Sequence, residues 1–183
     1  MKVREVVSLA AELVGVAETL ETHFNEESEE GKRLENKLLH CFHIVENEVA
    51  LDFLPLVAED EVDSVAGVIS FSNLTKKAVR ILKIMDESGE AVKYESYPQY
   101  VKTLPGKVVV RYAYAPEEKT LDSEAEVHSS TSVRLLAYGV ASAYCLQEGL
   151  YAEAATWEKK YKGAVIAAYK ASPAKVIRSR RWV

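Results

Sequence analysis

The chain has 183 residues, of which 48% are hydrophobic and 28% are charged, and its net charge is -5. This length suits one domain, or one domain with a modest insertion, and the composition excludes wholesale disorder. The acidic balance also argues against a protein that binds nucleic acid over its whole surface, because such proteins are usually basic.

Two amphipathic helices are predicted at the start of the chain. Apolar residues recur at three- and four-residue spacing from about Lys2 to Thr22, with Gly15 as a weak point, and again from about Glu29 to Leu51. Pro55 ends the second helix. The N-terminus has no signal-peptide apolar region, and no apolar run is long enough to span a membrane, so we expect a protein of the cytoplasm that is free of membrane.

The period then changes to that of strands. The predicted strands are Val68–Phe71, Val79–Met85, Ala91–Tyr97, Tyr100–Thr103 and Lys107–Ala115. Asp86-Glu87-Ser88-Gly89 is a turn signal between the second and third strands, and Leu104-Pro105-Gly106 is one between the last two. These stretches predict a small antiparallel module built from strand–turn–strand units.

The helical period returns near the end of the chain. One helix is expected from about Ser129 to Glu148, with the run of hydroxyl residues at 129–132 as its cap and Gly149 as its stop. Another is expected from Tyr151 to about Lys170. The short link between them predicts antiparallel neighbours.

The predicted fold is therefore α+β. Residues 1–53 and 128–172 form a helical bundle, residues 54–127 form an inserted antiparallel β module, and residues 173–183 form an extended C-terminal arm.

No motif for catalysis or for a cofactor is present. The chain lacks a G-x-S-x-G elbow, a P-loop and a G-x-G-x-x-G turn, and no acidic pair lies in a setting that would raise a pKa for acid catalysis. We expect neither an enzyme nor a cofactor.

A metal site is the weaker interpretation of the segment around His40 and His43. These two residues could share a helix face with Glu46, while Cys41 would point elsewhere, and no second ligand cluster exists. Histidines on the rim of a packed helix are the better explanation, and no metal is expected. Cys41 and Cys145 are interpreted as small buried hydrophobes, not as a disulfide.

The last residues are basic and aromatic. Three interpretations compete for this tail: docking on another protein, a solvated tail, and contact with nucleic acid. Protein docking is favoured, because Trp and Arg dominate interfaces and the alternation of the tail suits an added strand. The docking candidates are Ile177, Arg178, Arg180, Arg181 and Trp182.

Aromatic residues are numerous on the last two predicted helices. They are Tyr138, Tyr144, Tyr151, Trp157, Tyr161 and Tyr169. Their number exceeds what two amphipathic helices need for one thin core, which favours a large oligomeric interface.

Several of these segments resemble the head–tail connector proteins of tailed phages, the adaptors of siphophages and prophages of Gram-positive bacteria. Those that resemble the C-terminal half of the adaptors are Arg134–Ala141, Tyr144–Leu146, Gly149–Tyr151, Ala154–Lys162 and Ile177–Trp182. The stretch Phe71–Lys77, continuing through Ile81–Ile84 to Tyr94 and Tyr97-Pro98, is similar to their β insertion.

The resemblance implies a structural virion protein and no catalysis. Such adaptors form a ring, expected to be a dodecamer, on the portal protein; they extend the DNA channel and offer a platform for the next neck or tail-completion protein. The protein would assemble in the bacterial cytoplasm and end in the virion neck. DNA would pass through the channel without sequence-specific binding, and acidic loops along the channel would keep it from sticking.

The resemblance also assigns roles to residues. The five tail candidates would dock on the portal, and the regions Val79–Tyr97 and Val101–Tyr114 would face neighbouring subunits or the tail side. The expected subunit contacts are Tyr138, Tyr144, Trp157, Tyr161, Tyr112 and Tyr114. The alternative is an accessory nucleic-acid-binding protein of the same phage, which would use the basic tail.

Overall fold

A computed structural model describes residues 1–26 and 28–171 of the chain. The helices are α1 (Val3–Leu13), α2 (Ala17–Asn25), α3 (Glu29–Glu48), α4 (Val133–Gln147) and α5 (Tyr151–Ala171). The strands are β1 (Leu56–Ser64), β2 (Val68–Ser70), β3 (Ala78–Asp86), β4 (Ala91–Val92), β5 (Glu95–Ser96), β6 (Tyr100–Lys102) and β7 (Gly106–Tyr114). Helices together with antiparallel sheets confirm the predicted α+β class. The predicted arm, residues 173–183, lies outside the described residues.

The chain divides into two compact units. Among the described residues, the helical unit consists of Met1–Glu46 and residues 118–171, and the β unit consists of Asn47–Glu117. These boundaries come before the predicted ones at residues 53 and 127. The first boundary comes earlier because the π-helical turn Val49–Phe53 packs on β7 within the β unit. The second comes earlier because the backbone N–H of Val3 donates to Ser123 O (3.0 Å), which joins the segment around Ser123 to α1.

The first predicted helix is two helices. Gly15 adopts a φ of +76°, which lies in the left-handed region and is incompatible with a continuous α-helix. The single helix expected from Lys2 to Thr22 is therefore wrong at its middle: α1 ends at Leu13 and α2 begins at Ala17.

Helix α4 is the central element of the helical unit. Its N-terminus is capped as predicted, because the backbone N–H of Leu135 donates to Ser132 Oγ (3.2 Å). Eight of its residues are buried, spread around more than one face. Gly149, with a φ of +77°, lies in the link after α4, where the helix stop was predicted. Ser142 Oγ of α4 donates a hydrogen bond to Ala154 O of α5 (3.1 Å), so α4 and α5 are antiparallel neighbours as predicted.

Helix α4 is closely packed at Gly139. A Cβ at this position would lie 2.6 Å from Val45 Cγ1 of α3 and 3.0 Å from Tyr161 Cε2 of α5. Real Cβ atoms essentially never come within 3.0 Å of a non-bonded heavy atom of a packed neighbour. The absence of a side chain at Gly139 thus lets α3 and α5 both approach α4.

The strands of the β unit are paired differently from the prediction. A four-stranded sheet has the order β1-β7-β3-β4, and a three-stranded sheet has the order β2-β6-β5. Strands β6 and β7 belong to different sheets, so the predicted hairpin of Tyr100–Thr103 with Lys107–Ala115 is wrong. The predicted strand Ala91–Tyr97 is likewise split between the two sheets, as β4 and β5.

A bent two-stranded ribbon explains this pairing. Ser64 lies opposite Gly106, and Val68 lies opposite Lys102, so the register is unchanged from β1–β7 to β2–β6. Between them Gly67, with a φ of +79°, accepts a hydrogen bond at its carbonyl from the Thr103 N–H (2.8 Å). The Leu104-Pro105-Gly106 signal therefore marks a bend within one strand, not a reversal between two.

Strand β1 was absent from the prediction. Its burial alternates along its length, with Asp60 on the inner side. Asp60 Oδ2 accepts hydrogen bonds from the Thr75 N–H (2.6 Å) and the hydroxyl of Tyr112 (2.7 Å). Burial would raise the pKa of Asp60, but these hydrogen bonds outweigh it and lower the pKa. An acidic residue is therefore accommodated beside the fully buried Tyr112.

We expect Gly139→Ala to destabilise the helical unit by about 1–3 kcal/mol, because the new methyl group overlaps Val45 and Tyr161 and this overpacking exceeds the helix-propensity gain. Thermal and urea unfolding would measure the change.

Gly163→Ala in α5 is the matched control. Nothing lies within 4 Å of a Cβ at Gly163, so the same substitution should raise stability by about 0.5–1 kcal/mol. Equal effects of the two substitutions would contradict the proposed crowding at Gly139.

Candidate interaction surface

Helix α5 is packed on one side only. It is 21 residues long, and its buried residues are Ala154, Tyr161, Val165 and Ala168, which recur at helical spacing. The opposite side is exposed along the whole length of the helix. We call this exposed side the α5 face.

The α5 face carries large apolar side chains that remain uncovered. The exposed fraction is 71% for Tyr151, 55% for Ile166 and 65% for Tyr169. Nearby, at the end of α4 and in the link to α5, Leu146 and Leu150 are 60% and 45% exposed. Exposed apolar residues that follow one helix face are typical of a protein interface.

Lysines give the α5 face a positive charge. Lys160 Nζ lies 4.2 Å from the ring centroid of Trp157, and that ring stacks on Tyr138 at 5.8 Å. The aromatic pair thus holds the ammonium group by a cation–π contact. Lys162 forms an ion pair with Glu158 one turn earlier (2.6 Å).

The aromatic residues expected at subunit contacts differ in exposure. Tyr112, Tyr144 and Tyr161 are 0%, 8% and 5% exposed, so nearly all of their area is used within the chain's own cores. Tyr138 and Trp157 are half-buried and stack on each other, and Tyr114 is also half-buried. The most exposed aromatics are Tyr151 and Tyr169.

The residues considered for metal binding point in different directions. His43 Nε2 lies 3.0 Å from both the backbone N and O of Lys119, Cys41 Sγ faces Gln147 Oε1 at 3.7 Å, and His40 is exposed. In the described part of the chain, no group of three or more His, Cys, Asp or Glu side chains is placed to hold a metal ion.

Both cysteines are buried, as predicted, and both are free. Burial raises the pKa of the Cys41 thiol to about 11.

Glu46, which the sequence suggested only as a possible metal ligand, is a buried carboxylate, and this burial was not predicted. Its side chain is fully buried, Oε1 accepts a hydrogen bond from the Glu126 N–H (2.7 Å), and Oε2 has no hydrogen-bond partner among the described residues. Burial raises the pKa of Glu46 to about 7, against the lowering effects of that hydrogen bond and of the nearby Lys119 ammonium group. Glu46 follows Phe42 by four residues and precedes Val49 by three, and this helical spacing could have predicted its burial.

A groove of about 460 Å³ lies at one end of the four-stranded sheet. Acidic side chains line it, among them Glu61, Asp63 and Asp86, together with Lys107. Asp86 Oδ1 accepts hydrogen bonds from the Ser88 hydroxyl (2.6 Å) and backbone N–H (2.9 Å), and these bonds lower the pKa of Asp86. Asp86 therefore fixes the β3–β4 turn that was predicted at this position.

Comparison with models of known protein families gave no match, and comparison with curated proteins gave none either. Within residues 1–26 and 28–171, no helix has both the length and the apolar character that crossing a bilayer requires. The tail candidates Ile177, Arg178, Arg180, Arg181 and Trp182 lie outside the described residues. Among the described residues, the α5 face carries exposed apolar and aromatic side chains along the length of one helix.

We expect the free energy of unfolding to fall as pH rises from about 4.3, the usual pKa of Glu, through about 7, the pKa of Glu46 in the fold. A raised carboxyl pKa means that the folded state holds the proton more tightly, so ionisation destabilises it, by about 3–4 kcal/mol in total. Glu46→Gln should remove this loss, as urea unfolding at several pH values would show.

Glu12→Gln on α1 provides the control, because Glu12 is exposed and its substitution removes the same charge. Wild type and Glu46→Gln both keep the four histidines, so a difference between them in how the free energy of unfolding changes with pH comes from Glu46. An unchanged slope in Glu46→Gln would refute the assignment.

Proposed function

We propose that the protein is a ring-forming head–tail connector of a tailed phage, a structural adaptor that docks on the portal protein. The observation that carries this proposal is the one-sided burial of α5. A 21-residue helix with four buried residues and several uncovered aromatic and aliphatic side chains is suited to contact with another subunit.

The position of α5 supports a ring. Helix α4 is packed inside the helical unit and holds α5 by the close contact at Gly139, so the α5 face is presented on a rigid support. Rigid, preorganised surfaces bind with a smaller loss of conformational entropy. The exposed Tyr151 and Tyr169, and the stacked pair Tyr138 and Trp157, are the aromatic residues best placed for subunit contacts.

In this proposal the other partners follow the family resemblance. The C-terminal tail, with Arg178, Arg180, Arg181 and Trp182, docks on the portal. The ring extends the DNA channel in the virion neck and offers a surface for the next neck or tail-completion protein. The protein needs no cofactor and performs no catalysis in this role.

A nucleic-acid-binding role is the second candidate. It is favoured by the four lysines of α5, Lys159, Lys160, Lys162 and Lys170, which are all exposed, and by the basic tail. Such binding would weaken steeply with salt because each phosphate contact releases counterions. Retention of the protein on DNA at low salt, lost at higher salt, would support this role; no binding at low salt would dismiss it.

The connector role predicts that deletion of residues 174–183 abolishes binding to the portal protein of the same phage. The helical circular dichroism signal should be unchanged, because α1–α5 end at Ala171. Electron microscopy of the chain mixed with the portal should show an added ring for wild type and none for the truncated chain.

The matched control replaces Arg178, Arg180 and Arg181 by Ala in one chain, and Lys32, Lys77 and Arg134 by Ala in another. Both variants lose three positive charges, and the second set is exposed and lies outside the regions expected to face other subunits. Only the first should lose portal binding. Full binding by the truncated chain would remove the docking assignment.

A further inference from the structure

We propose that the α5 face of one copy packs against α2 of the next copy, so that an acidic helix and a basic helix form the repeating contact of the ring. This inference rests on the proposed ring-forming function and names the partner surface of the same site. The partner is a second copy of this chain, identified by its charge.

Helix α2 is an acidic helix with little burial of its own. Leu20 is its buried residue, while Glu18 and Glu21 are exposed one turn apart, and Glu26 follows the helix. The helix contains no Lys or Arg. Within the described residues, none of these three glutamates forms an ion pair.

The α5 face offers the complementary charge. Lys159 and Lys170 are eleven residues apart, about three helical turns, so they lie on the same side of α5. Neither ammonium group forms an ion pair within the described part of the chain. Exposed small residues between them, Gly163 and Ala167, leave room for another helix to come close.

The two helices also occupy suitable places in the unit. Successive packing contacts run from α2 to α1, from α1 to α4 and from α4 to α5. Helix α2 also contacts α3, where His23 lies against Gly31, whereas the main contact of α5 is with α4, so α2 and α5 bury their inner sides against different helices. A closed ring needs two different, complementary surfaces on each subunit, since each copy contacts one neighbour with each of them.

Two other pairings are less favourable. Contact between the α5 faces of two copies would bring Lys159 and Lys170 towards like charges, which opposes association. Strand β1 is a weaker candidate because two of its acidic residues already face basic residues of β7: Glu59 pairs with Arg111 (3.5 Å), and Asp63 lies opposite Lys107. On α2, none of the three glutamates forms an ion pair among the described residues, although the Arg4 guanidinium lies over the Phe24 ring (4.6 Å).

Charge exchange tests the pairing. The first variant carries Lys159→Glu and Lys170→Glu, and the second carries Glu18→Lys and Glu21→Lys. Each should assemble on the portal at least roughly tenfold less well than wild type, because like charges then meet at every contact. Light scattering and electron microscopy would measure assembly, and circular dichroism would confirm that all four exposed positions tolerate the change.

The fourfold variant, with both pairs exchanged in one chain, should form rings again. An equimolar mixture of the two double variants should also form rings, in which the variants alternate and the number of subunits is even. Lys77→Glu with Arg134→Glu, at exposed positions outside the two regions expected to face other subunits, is the control for net charge and should assemble as wild type does.

The outcomes separate this inference from the proposed function. Wild-type rings on the portal, together with normal assembly of the double variants or failure of the fourfold variant, would overturn the α2–α5 pairing and leave the connector role standing. Absence of wild-type rings, alone and on the portal, would overturn the connector role and the pairing with it. Rescue in the fourfold variant and in the mixture would establish the pairing.

Discussion

The close packing of three helices at Gly139 is the constraint on which the helical unit depends. Val45 of α3 and Tyr161 of α5 both occupy the space that a side chain at this position would need. Because α1 also packs on α4, the central helix uses several of its sides for contacts within the unit. Helix α5 lies at the end of this arrangement and can bury only the side that faces α4. The exposed α5 face is thus a direct consequence of how tightly α4 is surrounded.

The β unit contains acidic residues on both the inner and the outer face of a sheet. The inward Asp60 is satisfied by the Thr75 N–H and the Tyr112 hydroxyl, and the outward Glu59 is paired with Arg111. The ribbon keeps one register through its bend, so the inner and outer faces of both strand pairs remain consistent. Asp60 and Glu59 of β1 therefore have their partners within the β unit.

Periodicity was sufficient for most helices but not for the strands. The apolar spacing of α3, α4 and α5 predicted their existence and type, and Ser132 and Gly149 predicted the cap and the stop. Strand β1 was missed because its acidic residues hide the two-residue alternation of burial. Asp60 can point inward because it accepts a hydrogen bond from Tyr112, which is distant in sequence. The Pro105-Gly106 signal was assigned to a hairpin because local sequence specifies a bend but not which strands meet across it. Glu46 has the same helical spacing as core residues, yet its partner, the Glu126 backbone, is distant in sequence.

The distribution of charge differs between the two units, and this difference bears on function. In the β unit, acidic and basic side chains face each other across β1 and β7. In the helical unit, α2 carries glutamates and no Lys or Arg, and Lys159 and Lys170 on α5 are left without an ion-pair partner among the described residues. Exposed charges without a partner contribute little to the stability of a single chain, because water and salt screen them. In the proposed ring, a neighbouring copy brings the opposite charge into contact, and two unlike surfaces on each subunit provide the head-to-tail contact that a closed ring needs.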